Sequence, residues 1–154
     1  MIKERLEYEQ PESISEWGWK YHHLGMPTGR VMPDEKYLPQ FKLYVSGFNN
    51  SPFGVEWMRF ENDSTIDPLI QSVPHLAFEV ADIDYELAAH HLKILTAPNC
   101  PGEGIRVAMI EHNGAPIELI EFKRIQYGSL SEVKCPCNFI WRSQRTSWLY
   151  PQLS

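Results

Sequence analysis

Two histidines and two glutamates, His23, Glu56, His75 and Glu118, stand at corresponding places in two similar stretches of this 154-residue chain. His23-Leu24-Gly25-Met26 aligns with His75-Leu76-Ala77-Phe78, and Val55-Glu56-Trp57-Met58-Arg59-Phe60 aligns with Ile117-Glu118-Leu119-Ile120-Glu121-Phe122. The pairs recur in the same order, as an internal repeat requires. A strand His or Glu taken singly is ordinarily structural or solvated. Four in repeat register point instead to one divalent metal ion, because a pseudo-twofold would bring one imidazole and one carboxylate from each copy to a single point. This mixed nitrogen and oxygen set suits zinc, nickel, cobalt, manganese or iron, and suits calcium poorly. Of the adjacent pair His22-His23, only His23 takes the slot of His75, which follows Pro74; His22 is expected to face away. His90-His91 are expected to face solvent from a helix.

Other chemistries find less support. Nucleophilic Ser or Cys motifs and nucleotide-binding loops are lacking. Cys100 falls in a predicted loop with no base partner, Cys135-Pro-Cys137 is spaced more tightly than CxxC and reads as free thiols, and three cysteines do not make the disulfide framework of a secreted domain.

The elements that must position the four residues follow from local pattern. YHHLGM (21–26), QFKLYVSG (40–47) and FGVEWMRF (53–60) read as strands, being rich in aromatic and β-branched residues between Pro, Gly and Asn clusters. Asn49-Asn50-Ser51-Pro52 predicts a hairpin connection. PHLAFEV (74–80), IRVAMIEH (105–112) and PIELIEFK (116–123) read likewise as strands. A helix is predicted over about 83–93, with Asp82 as N-cap and Ile83, Leu87 and Leu92 on one face. Asn113-Gly114 predicts a tight hairpin turn, and 98–102 a loop. Alternation along 74–80 places His75, Ala77 and Glu79 on one face and Leu76, Phe78 and Val80 on the core face. The first copy is shorter between its His and its Glu, and it has no helical pattern where the second copy has one.

A length of 154 residues with 43% hydrophobic content allows one buried core. Residues 1–18 read as a polar N-terminal arm. Residues 125–154 read as an extension whose aromatic and aliphatic residues would pack on the domain or on a partner. A net charge of -6 without a basic block argues against nucleic acid as a partner. No apolar run is long enough for a membrane span, and the charged N-terminus does not resemble a signal peptide, so a soluble cytoplasmic protein is expected.

HHLGM (22–26), GVEWMRF (54–60), PHLAFEVADID (74–84) and GAPIELIEF (114–122) together resemble the vicinal oxygen chelate superfamily, which includes glyoxalase I, methylmalonyl-CoA epimerase, extradiol dioxygenases and bleomycin resistance proteins. The resemblance covers roughly residues 19–124 and its ligand pattern is most similar to bacterial-type glyoxalase I. It implies an α+β fold of two βαβββ modules, residues 19–62 and 73–124, whose curled mixed sheets form a metal cleft, with the helix of the first module reduced or missing. It also implies His23, Glu56, His75 and Glu118 as ligands, with Glu56 or Glu118 as the base.

The activity expected on this basis is that of a metal-dependent lyase or isomerase. It would move a proton on a small 2-oxo or 2-hydroxy carbonyl substrate that chelates the metal through adjacent oxygens. Alternatives are a small-molecule sequestering protein and an Fe(II) dioxygenase; the fourth available ligand weighs against the dioxygenase. A homodimer is expected, since curled sheets leave open edges.

Overall fold

The computed structural model describes residues 4–123; residues 125–154, with Cys135 and Cys137, lie outside the described part. The chain forms an α+β domain around one curled, mixed eight-stranded sheet. A short helix α1 (Glu12–Ser15) leads into β1 (Lys20–Pro27), β2 (Lys36–Leu38), β3 (Leu43–Ser46) and β4 (Val55–Phe60). A linker helix α2 (Pro68–Ser72) follows, capped by the Asp67 side chain on the backbone N–H of Leu69. The second set is β5 (His75–Glu79), α3 (Ile83–Ala89), β6 (Lys93–Gly102), β7 (Ile105–His112) and β8 (Ala115–Phe122).

Strand order in the sheet is β2-β3-β4-β1-β5-β8-β7-β6. Its first half is β2-β3-β4-β1, and its second half read from the far edge is β6-β7-β8-β5. The two modules therefore have the same internal order and meet along β1 and β5. β1 runs parallel to β4, β5 runs parallel to β8, and β1 and β5 are antiparallel, which places a pseudo-twofold axis between them. As expected, the first module connects β1 to β2 without a helix.

Local chemistry accounts for most boundaries. The Asp82 side chain accepts a hydrogen bond from the N–H of Tyr85 at 3.0 Å and starts α3. Helix α3 stops at Ala89, shorter than the pattern predicts, because His91 adopts a left-handed backbone with φ of 50°. Asn113 and Gly114, at φ of 49° and 82°, form the tight turn between β7 and β8.

Three local expectations need correction. Residues 98–102 lie in β6 and not in a loop, in an outer strand whose pairing with β7 shifts register three times. Prolines 98 and 101 are tolerated there because an edge strand need not donate every N–H. Lys36–Leu38, unmarked by any strand pattern, forms the opposite edge. Leu76 is 44% exposed, although Phe78 and Val80 on the same face are buried.

One face of the sheet carries the main core. Phe78, Val80, Ala108, Ile110 and Leu119 pack there with Ile83 of α3 and with Trp19, and Ile14 and Trp17 of the N-terminal segment close over them. Among the described residues no helix is long and apolar enough to cross a membrane. Cys100 is disulfide-bonded.

Candidate metal centre

Cross-strand partners project from the same face of a sheet. Across the second face, His23 on β1 pairs with Ala77 on β5, which pairs with Glu118 on β8. In a neighbouring row, Glu56 on β4 pairs with Gly25 on β1, which pairs with His75 on β5. Residues 23 and 25 share a face, as do 75 and 77. Register alone therefore directs all four sequence-predicted residues to one side of the four central strands, as the repeat requires. The same side also carries buried Met58, Met109 and Ile120. Ile120, an apolar residue on the side of Glu118, is buried because the curled sheet encloses that face too.

Three of the four residues converge. Ligand atoms of His23, His75 and Glu118 all lie within 4.8 Å of one another. A single Glu118 oxygen, Oε2, stands 3.3 Å from His23 Nε2 and 3.5 Å from His75 Nε2. Both are hydrogen bonds longer than the usual charge-assisted separation of about 2.8 Å. They match the spacing of about 3.4 Å between ligand atoms on a tetrahedron with metal bonds of about 2.1 Å. His23 and His75 are 6% and 3% exposed, and their rings are nearly perpendicular with centroids 5.6 Å apart. Their identity and spacing fit a divalent ion held by two imidazole nitrogens and one carboxylate.

Glu56 stands outside that cluster of three but within its electrostatic reach. Burial pushes its carboxyl above the usual range; the His23 charge opposes this, the Glu118 charge adds to it, and His75 opposes it. Glu118 shows the contrary balance. Burial works to raise it, but hydrogen bonds from His23 and His75 outweigh that effect and hold it well below the ordinary carboxylate value. His23 is raised in turn: burial disfavours its charge, and the Glu118 hydrogen bond and charge, with help from Glu56, prevail. The structure thus separates two carboxylates that the repeat presents as equivalent. Both are desolvated, but only Glu118 stands in contact with both histidines.

The two histidines are held by different devices. The His75 ring lies against the backbone of Gly25, where an added Cβ would stand 2.0 Å from Cε1 and 2.5 Å from each ring nitrogen. Only glycine admits the ring there. At the pseudo-equivalent position beside His23 the second module has Ala77, fully buried.

His22 does not face away. The pairing of β1 with β5 shifts by one residue between Tyr21 and His23, so that His22 is the extra residue of a bulge. A bulge interrupts alternation. His22 Nδ1 lies 2.8 Å from His23 Nδ1, with the His22 ring beside Phe48 and Phe122. The tandem His-His was the available signal, but which face each would take depended on the strand pairing. His90 also departs from expectation: its ring stacks on Trp17 at 3.7 Å and its Nε2 pairs with buried Glu86 at 3.0 Å.

No protein-family model and no curated protein matches the chain. Among solved structures, it is similar to a hypothetical protein of Bacillus halodurans C-125, with a TM-score of 0.53 and 17% identity over 71% of this chain and 99% of that one. Methylmalonyl-CoA epimerase from Mycobacterium tuberculosis also matches, with a TM-score of 0.45 and 16% identity over 68% of this chain and 89% of that one. The likeness to the Bacillus protein is one of fold.

Proposed function

We propose that this chain is a metal-dependent lyase or isomerase of the vicinal oxygen chelate type, acting by proton transfer on a small 2-oxo or 2-hydroxy carbonyl compound. His23, His75 and Glu118 would hold the ion, one of zinc, nickel, cobalt, manganese or iron. When bound, the ion supplies a Lewis acid able to polarise two adjacent substrate oxygens. Glu56 is assigned the proton transfer. It could bind the ion at rest, and its burial beside the cluster gives a carboxylate whose basicity exceeds that of a solvated one. Glu118, tied to both imidazoles, is the poorer candidate for a base. The observation that carries this reading is the contrast between the two glutamates.

A second reading has its own support. Two histidines and one carboxylate, with no fourth member in the tight cluster among the described residues, form the ligand pattern of non-haem Fe(II) oxygenases. The Fe(II)-loaded protein, supplied with catecholic substrates, should consume oxygen on that reading and not on the first.

The test of the first reading is solvent deuterium exchange into a panel of 2-oxo and 2-hydroxy carbonyl compounds by metal-loaded protein. Glu56→Gln is expected to slow exchange about a hundredfold to ten-thousandfold while metal stays bound. Glu118→Gln is expected to lower metal occupancy itself. Metal-loaded protein that exchanges none of these compounds and binds one unchanged would make the chain a sequestering protein.

A further inference from the structure

Metal-ligating histidines usually have the second ring nitrogen hydrogen-bonded, which fixes both tautomer and ring orientation. The two histidines here differ in this respect. His75 Nδ1 is buried with no hydrogen-bond partner among the described residues, and the ring is located sterically by Gly25. His23 has no such seat, since Ala77 lies beside it. It has His22, at 2.8 Å between the two Nδ1 atoms.

We propose that His22 is the positioning residue for His23: the Nδ1–H of His23 donates to Nδ1 of His22, leaving His23 Nε2 directed at Glu118. The inference rests on the metal-centre reading for its consequence, although the hydrogen bond itself does not. An Nδ1-to-Nδ1 contact needs one donor and one acceptor. A His23 that offers its Nε2 lone pair to a metal keeps its proton on Nδ1, so His22 must accept there and carry its own proton on Nε2. A metal-free His23 protonated on both nitrogens makes the same bond, so the arrangement is preorganised for metal. His22 is fixed in turn by its ring neighbours, Phe48 at 5.5 Å and 28° and Phe122 at 5.5 Å and 41°. The second module has Pro74 at the matching position, which offers no side-chain acceptor. The bulge in β1 therefore has a use: without the extra residue, side-chain alternation would turn residue 22 to the opposite face from His23.

The experiment compares the full chain with His22→Asn, His22→Leu and His22→Ala. The Asn side-chain oxygen falls near the place of the imidazole Nδ1 and can accept the same hydrogen bond; Leu fills the space between Phe48 and Phe122 but cannot. Zinc alone is the probe, with affinity read by chelator competition and imidazole tautomers read by long-range proton–nitrogen NMR. Wild type and His22→Asn should show a protected His23 Nδ1–H, with and without zinc, and affinities within about threefold of each other. His22→Leu and His22→Ala should lose that resonance and bind zinc about 10- to 100-fold more weakly. Wild-type affinity in His22→Leu, or no protected His23 Nδ1–H in the metal-free wild type, overturns the positioning role. A wild-type chain that shows the resonance and binds no zinc overturns the metal centre and leaves the hydrogen bond standing. Should His22→Leu not fold, failure of His22→Asn to retain the resonance decides against the proposal.

Discussion

A methyl group on Gly25 should expel His75 from the metal centre. An added Cβ would stand 2.0 Å from His75 Cε1, where carbon atoms in contact keep about 3.5 Å, so the ring must retreat by about 1.5 Å. Metal–ligand distances tolerate about 0.2 Å. The displacement is several times that tolerance, so Gly25→Ala should lose His75 as a ligand altogether, weakening zinc binding by at least about a hundredfold, more than loss of an outer hydrogen bond would cost. Stability should fall by about 1–3 kcal/mol as the buried imidazole repacks. Ala77→Gly is the matched control. His23 lies beside a residue that already has a Cβ, so this variant should keep its metal and lose only about 0.5–1 kcal/mol through the glycine backbone. Chelator competition measures affinity and urea unfolding measures stability. In Gly25→Ala/His75→Ala the zinc affinity should equal that of His75→Ala alone, because the clash has no ring left to act on. Zinc affinity within about twofold of wild type in Gly25→Ala would refute the reasoning, as would strictly additive effects in the double variant.

Three other outcomes are expected. Glu35 receives two hydrogen bonds from Arg59, at 2.9 and 2.7 Å, and these, with the N–H of Met32, hold its carboxyl at about 2 against an ordinary 4.5. Its folded value lies below its unfolded one, so its stabilising contribution is present above pH 4.5 and is lost as pH falls toward 2. Urea unfolding should show Glu35→Gln less stable than wild type at pH 7 and equal to it near pH 2; an unchanged difference would contradict the assignment. Trp17→Ala removes the stack on His90 and the edge contact with Trp19 at 5.2 Å, and should destabilise the domain by about 2 kcal/mol in the same assay with zinc affinity unaffected. Finally, among the described residues no strand pairs with the outer edges of β2 and β6 and Leu76 is exposed, for which we propose a second copy of the chain as cover; sedimentation giving a monomer at micromolar concentration would dismiss it.

The sequence by itself determined the parts that depend on local chemistry or on repetition. Asp82 starts a helix because its carboxylate satisfies an N–H within the same turn, and Asn113-Gly114 turns the chain because both residues tolerate positive φ. The doubled order of His-strand and Glu-strand was legible because two modules related by a pseudo-twofold must repeat their ligands in sequence, and register places all four residues on one face. What only the tertiary structure decided depends on pairing between distant strands. The bulge that turns His22 toward His23 is a mismatch between β1 and β5, so no property of Tyr21-His22-His23 alone could reveal it. Pro98 and Pro101 sit in a strand because β6 is an edge, which is a fact of sheet order. Leu76 obeys alternation yet is exposed where its facemates Phe78 and Val80 are covered. Glu56 and Glu118 are equivalent in the repeat, but only the packed sheet brings both imidazoles onto Glu118, because a three-body contact among β1, β5 and β8 is set by curvature and register together and by neither strand alone.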